Sequence, residues 1–219
     1  MMKKYLLSAL LLVSACGPAT PPATPPVVAI YATSATLPWL AKTYACGDTQ
    51  PAVIRLSDHP ADADIRLRLG EPNPLSMPAF QIDSEDVLVV VNPARSISNL
   101  DAAQVAALFT GQISDWNKID PSHPGNVQVW VFAQGEDIQQ VFEKTLSGSP
   151  IVSTARLATS PDDMSTAVAN DVNSIGILPR HSLGQNLSSV HVAATAPVLA
   201  LTASEPQGAI QSLLACLQK

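Results

Sequence analysis

Residues 87–91, Val-Leu-Val-Val-Val, form an unbroken apolar run closed by Asn92-Pro93. β-Branched side chains suit a pleated surface, and a strand without polar alternation is stable only where both of its faces are covered. Proline then ends the ladder, because it has no N–H to donate and disfavours helical geometry in the residue before it. A strand of this kind belongs inside a sheet with helices packed on each side, so a parallel sheet is the expectation.

Strand and helix signals alternate around this run. Val27–Tyr31 is apolar and β-branched, and Leu37, Leu40, Ala41 and Tyr44 follow at helical spacing, predicting a helix that buries that face. Ala52–Leu56 and Ile65–Leu69 read as short strands, with Asp58-His59-Pro60 as the turn between them. Asp101 with Gln104 three residues later has the form of a capping box; Val105, Leu108 and Phe109 supply the buried face and Gly111 the stop. Further on, Val127–Phe132 and Ile175–Leu178 are predicted strands, and Ile138–Leu146 and Asp162–Ala169 predicted helices. A last helix is expected from about Glu205 to Leu217, with Ala209, Ile210, Leu213, Leu214 and Leu217 on one stripe and Cys216 carried toward the core. This order describes an α/β chain of βαβ units, with Trp39, Trp116 and Trp130 as core anchors.

Composition excludes several classes. The chain has 219 residues, 47% hydrophobic and 14% charged, enough apolar surface to fold. Its 12 basic residues are scattered among 18 acidic ones, net −6, which leaves no electrostatic footprint for nucleic acid. No Gly-x-Ser-x-Gly elbow, P-loop or His-Glu-x-x-His helix occurs, so no enzyme is expected. The four histidines and three cysteines are dispersed without metal-ligand spacing, and neither a metal nor a cofactor is assigned.

The first fifteen residues read as an export signal: Lys3 and Lys4, an apolar stretch from Tyr5 to Val13, then Ser14-Ala15. That stretch is too short to span a bilayer as a helix. Val13-Ser14-Ala15-Cys16 resembles the bacterial lipobox, in which the cysteine becomes the first mature residue and carries lipid. Cys16 would then tether the protein to the extracytoplasmic face of a membrane; the other reading is a plain secretory signal followed by a cysteine. Cleavage there removes Lys3 and Lys4 and leaves ten basic against 18 acidic residues, net −8, so lipid rather than charge would hold the protein. Half of residues 17–26 are proline, a semi-rigid spacer. With Cys16 lipidated, Cys46 and Cys216 remain, either bridged in an oxidising compartment or buried as two thiols.

Residues 87–119 resemble the middle segment of the phosphate-binding solute-binding proteins of bacterial ABC importers. In that family a buried strand ends in Asn-Pro, a Ser-Asn-Leu entry leads to a helix ending Phe-Thr-Gly, and a turn ends in Trp-Asn. Val89–Pro93, Ser98–Leu100, Phe109–Gly111 and Trp116-Asn117 match these in order. Ala155–Leu183 resembles a later Ser-rich helix entry and Ile-Gly strand through Ser160, Ser165 and Ile175-Gly176, and a weaker likeness covers Val27–Tyr44. The resemblance implies a compact, two-lobed type II periplasmic-binding fold over residues 27–219, its first lobe about 27–91 with 180–219 and its second about 92–179. A Cys46–Cys216 bridge would then lie within one lobe.

Members of that family hold oxyanions with Ser/Thr hydroxyls and backbone N–H groups at helix N-termini. By resemblance, Thr33, Ser34 and Thr36 occupy the first such loop, where ligand contact and helix capping are the two available roles. Gln134-Gly135 and Ser160 correspond to later loops, but Glu136 and Asp137 stand where the family carries a Ser-Gly-Thr turn. Two carboxylates there would satisfy the helix dipole and repel a phosphate; they either cap and solvate their helix or form a cation-binding pair. Arg66 and Arg68, alternate residues on one strand face, would either bring positive charge to the cleft or form a solvated sheet edge. The expected function is a lipid-anchored solute-binding protein that delivers a small ligand of the oxyanion class to an ABC importer. The alternative is a binding-fold lipoprotein without transport, acting as a sensor or protein-interaction module.

Overall fold

A computed structural model describes residues 24–49 and 52–219. The expected export signal, Cys16 and most of the proline-rich spacer lie outside the described residues. Among the described residues eight strands form one continuous sheet: β1 (Val27–Ala32), β2 (Val53–Leu56), β3 (Ile65–Leu69), β4 (Ala79–Val91), β5 (Gln128–Val131), β6 (Arg156–Leu157), β7 (Ser174–Pro179) and β8 (Ser188–Thr202). Their spatial order is β2-β1-β3-β8-β4-β7-β5-β6. It is covered, among the described residues, by five α-helices: α1 (Trp39–Thr49), α2 (Ala102–Phe109), α3 (Asp137–Thr145), α4 (Pro161–Asn170) and α5 (Gly208–Leu217). No helix among the described residues is long and apolar enough to cross a membrane.

The sheet is mixed, which corrects the expectation of a parallel one. β1 runs parallel to β2 and β3, and β5 parallel to β6 and β7, but β8 is antiparallel to β3 and β4, and β4 to β7. Val87–Val91 is buried on both faces, as its composition requires. It is the second half of a strand of 13 residues, however, and β8, with 15, is longer still.

These two strands divide the molecule. Ile65–Leu69 pair with Val198–Thr202 on one side, and Val87–Val91 pair with Ile175–Pro179 on the other. Between them Ser84–Asp86 face only Thr195–Pro197, a two-stranded bridge joining two halves of the sheet. The first lobe therefore comprises β1–β3 with the start of β4 and the end of β8, and the second begins inside β4 rather than at residue 92. Ser188–Ala194, expected in the first lobe, pair with Val87–Val91. Polar contacts gather at the bridge: His181 Nδ1 lies 2.6 Å from Glu85, Arg180 Nε donates to Asp86 at 2.8 Å, and the Thr195 hydroxyl donates to Asp86 at 2.6 Å.

Cys46 on α1 and Cys216 on α5 are joined in a disulfide, closing a separation of 170 residues within the first lobe. This bridge, together with a 2.9 Å hydrogen bond from the Trp39 indole to Asp83, fixes the rotation of α1. Trp39, Thr43, Cys46 and Gly47 are its buried residues, while Leu37 and Tyr44 from the expected face are exposed. The second lobe is organised around Arg95, whose side chain is 1% exposed. Its guanidinium lies 4.3 Å from the centroid of the Trp116 ring and donates to the carbonyls of Val172 and His123 and to Asn173 Oδ1 at 2.8–2.9 Å. Trp116 is fully buried and Trp130 partly so.

Candidate functional site

A cavity of about 280 Å³ lies between the lobes. From the first lobe it is lined by Tyr31, Thr33, Arg66 and Arg68, with Met77 at one margin; from the second, by Gly135, Glu136 and Asp137 at the start of α3. The register of the sheet creates the first wall. Tyr31 pairs with Arg66, and the 66/68 alternation turns both arginines to that face while Ile65, Leu67 and Leu69 fill the core. Gly70 allows α3 to approach: its φ is +71°, and an added Cβ would sit 2.5 Å from Val141 Cγ2. A larger groove of about 560 Å³ beside Asp62, Asp64 and Glu205 involves the first lobe alone.

Across the cleft, most donors belong to the first lobe and their acceptors to the second, Lys144 being the reverse case. The Thr33 hydroxyl and the Leu69 backbone N–H both donate to Asp137 Oδ2 at 2.6 Å, and the Ile138 N–H donates to Oδ1 at 2.8 Å. The Asp137 side chain belongs to a residue only 3% exposed. Burying a carboxylate costs several kcal/mol unless donors replace its water, and these three do so. The Ser34 hydroxyl donates to Glu136 at 3.1 Å, and Lys144 Nζ reaches the Glu71 carbonyl at 3.1 Å.

The arginines are held differently. Arg68 Nη2 donates to Gln140 Oε1 at 3.1 Å, while its Nε is buried without a partner. Burial pulls its pKa below the usual guanidinium value, and the nearby Asp137 charge opposes that fall. Arg66 has Met77 Sδ at 3.6 Å. Neither forms an ion pair among the described residues. No group of three or more His, Cys, Asp or Glu among the described residues is placed to hold a metal ion.

No family model matches the chain, and no curated protein matches it in sequence. Solved structures do match in shape. A protein of Clostridium perfringens assigned as a phosphate ABC transporter substrate-binding protein, with bound phosphate, superposes at a TM-score of 0.78 and 13% identity, covering 87% of this chain and 92% of its own. An ABC-type phosphate transport receptor from Vibrio cholerae gives 0.72 at 15%, covering 88% and 93%. The fold is that of the two-lobed periplasmic binding proteins. It also serves regulators: the Synechocystis CcmR regulatory domain in complex with 2-PG matches at 0.64 and 11% identity, covering 88% and 95%. At such identities the binding-protein fold is what is shared, and function is argued from side chains.

Within the binding-protein fold, the residues singled out from sequence separate into three groups. Thr33, Arg66, Arg68 and Gly135 line the cleft. Ser34 and Thr36 stand beside it; Thr36 is fully buried, sharing a 3.0 Å hydroxyl contact with Thr33 and donating to the Leu67 carbonyl. Gln134 and Ser160 do not line it. Gln134 borders a separate cavity with Glu143 and Gly148, and Ser160 caps α4 by accepting from the Asp163 N–H at 3.1 Å.

Three local expectations are corrected. Thr33 precedes a short 3-10 turn without capping it through its side chain, because its hydroxyl is engaged across the cleft. Arg66 and Arg68 are on an inner strand between β1 and β8, so they form no solvated edge. Asp137 is buried rather than solvated, and Glu136 makes no side-chain cap. Tyr31, the Leu69 amide, Met77 and Gln140 were missed. Gln140 was detectable from its i+4 spacing to Glu136, which places both on one helix face; the Leu69 amide leaves no mark in sequence.

Proposed function

We propose that the protein is an exported, lipid-anchored solute-binding protein whose cleft takes a small anionic solute and presents it to an ABC importer. The observation that supports this most is the pair of guanidinium groups, Arg66 and Arg68, set in an inter-lobe cavity with no carboxylate among the described residues ion-paired to either. A guanidinium offers a planar fork of donors suited to carboxylate and phosphate groups. The two-stranded bridge through Ser84–Asp86 and Thr195–Pro197 is a natural axis for opening and closing. Transport receptors of the same fold and the lipobox-like Val13–Cys16 support delivery from a membrane-tethered position.

A thermal-shift screen of residues 24–219 tests the reading, with inorganic oxyanions, small carboxylates, phosphate monoesters, amino acids and sugars as probes. A saturable rise in Tm with an anion is expected, since a solute at one hundred times its Kd adds about 2.7 kcal/mol. The rise should vanish in the Arg66→Gln/Arg68→Gln double variant. A response confined to neutral sugars overturns the anion assignment.

One observation favours a second reading, a binding-fold lipoprotein acting as a sensor or interaction module. Thr33 and Ser34 already have partners in Asp137 and Glu136, so part of the cleft is satisfied without a solute. A flat screen would select this reading.

A further inference from the structure

We infer that Asp137 is the specificity-determining residue of the cleft, a tethered carboxylate that occupies the oxyanion position and thereby excludes inorganic phosphate and sulfate. The inference rests on the cleft being the solute site and adds which anions that site can accept.

The donors around Asp137 are those an oxyanion would need. A hydroxyl from Thr33 and the Leu69 backbone N–H come from the first lobe, and the Ile138 N–H comes from the opening turn of α3. All three converge on one carboxylate in a residue 3% exposed, and the first-lobe pair approach it at 2.6 Å. Such short contacts mark charge-assisted hydrogen bonds. A free anion entering this position would have to expel a covalently attached competitor whose effective concentration is high, and would then leave the Asp137 charge buried without donors. An inorganic oxyanion would be left with the two arginines alone, without the hydroxyl and amide donors that would enclose it, and with no apolar body to add contacts.

The rest of the cleft remains open to a different solute. Arg66 and Arg68 line the same cavity, and the buried Nε of Arg68 lacks a partner, so they can receive the anionic group of a larger molecule while Asp137 stays in place. Pro60, Pro72, Met77 and Leu201 give that molecule's body an apolar seat. The site therefore selects small organic anions, carboxylates or phosphate monoesters, over inorganic oxyanions.

The test is a phosphate and sulfate titration of ¹⁵N-labelled wild-type protein and of Asp137→Ser, which removes the charge and leaves room at the helix start. In the wild type, the Leu69 and Ile138 amide resonances should not move at millimolar phosphate. In Asp137→Ser both should move saturably, with phosphate affinity raised at least about tenfold. Saturable movement of the wild-type Leu69 and Ile138 resonances overturns the inference, and so does a folded Asp137→Ser that gains no affinity. If that variant does not fold, the wild-type titration decides alone: immobile amides at millimolar phosphate uphold the exclusion, and saturable movement refutes it. The outcome is separable from that of the proposed function. Wild-type phosphate binding at these amides would sink the exclusion and keep the solute-binding reading, whereas a wild type blind to every anion beside a phosphate-binding Asp137→Ser would do the reverse.

Discussion

The first lobe is secured by a covalent link between two helices, the second by a buried cation with polar partners, and the cleft between them by hydrogen bonds, most of them from first-lobe donors to second-lobe acceptors. Cys46–Cys216 ties α1 to α5. Arg95 gathers Val172, His123 and Asn173 under the Trp116 ring. Thr33 and Leu69 reach across to Asp137. The difference assigns separate tasks. Each lobe can keep its shape by means that do not involve the other, while the contact across the cleft rests on a few polar bonds that a solute or a substitution can exchange. A two-lobed binding protein needs this division, because its lobes must move as bodies.

The largest effect should come from breaking the second lobe's anchor. Arg95→Met keeps apolar bulk beside Trp116 but strands the Val172 and His123 carbonyls and leaves Asp120 without its cation at 3.8 Å. Removing one side of a buried charged network costs about 3 to 5 kcal/mol. Urea unfolding measures the loss, and amide exchange read by mass spectrometry locates it. Accelerated exchange should appear in residues 92–179 first; equal acceleration in residues 27–69 would show that the lobes are not separately supported. Replacing both Cys46 and Cys216 by Ala should cost somewhat less, about 2 to 4 kcal/mol from loop-closure entropy, with the faster exchange now in α1 and α5.

What was legible in the sequence follows the same division between local and distant contacts. The start and buried face of α2 were readable because Asp101, Gln104, Val105, Leu108 and Phe109 settle them within nine residues; the Asp101–Gln104 capping box forms in both directions. β8 was not readable. Its first half, Ser188–Thr195, is rich in Ser and Ala, residues with little strand preference, and it is a strand because β4 pairs with it. The rotation of α1 was misread because its own apolar spacing lost to contacts with Asp83 and Cys216, both distant in the chain. At the cleft, Thr33, Arg66, Arg68 and Gly135 are legible in sequence as candidates and line the cavity, but the partner of Thr33 lies 104 residues away, and only folding brings the two together.

Thr33→Val probes the contact between lobes. It preserves the side-chain volume and removes one donor from the buried Asp137 carboxylate, a loss of about 1 to 3 kcal/mol. Ser34→Ala, which removes the longer 3.1 Å bond to Glu136, should cost about 1 kcal/mol or less. Small-angle scattering supplies the discriminating readout: Thr33→Val should raise the radius of gyration of the solute-free protein, and Ser34→Ala should not. Equal and unchanged radii would mean that the Asp137 contact does not hold the lobes together.

The smallest effect belongs to the bridge, where pH is the probe. Hydrogen bonds from Thr195 and Arg180, with the charge of Arg180, hold the Asp86 carboxyl below the usual carboxylate range; the Trp39 indole and the Ser84 N–H do the same for Asp83. A carboxyl that binds protons less readily folded than unfolded contributes stability at pH values above its unfolded pKa of about 3.9, and that contribution disappears as the pH falls through the lower folded value. Asp86→Asn removes it at every pH. The variant should therefore be less stable than wild type near neutrality by at most about 1 kcal/mol, the scale of a partly exposed ion pair, and the gap should close on acidification. Tm values from about pH 6 to about pH 3 test this. A gap that persists at the acid end would mean that Asp86 holds the bridge by packing, and that the crossing between the lobes is built as rigidly as the lobes themselves.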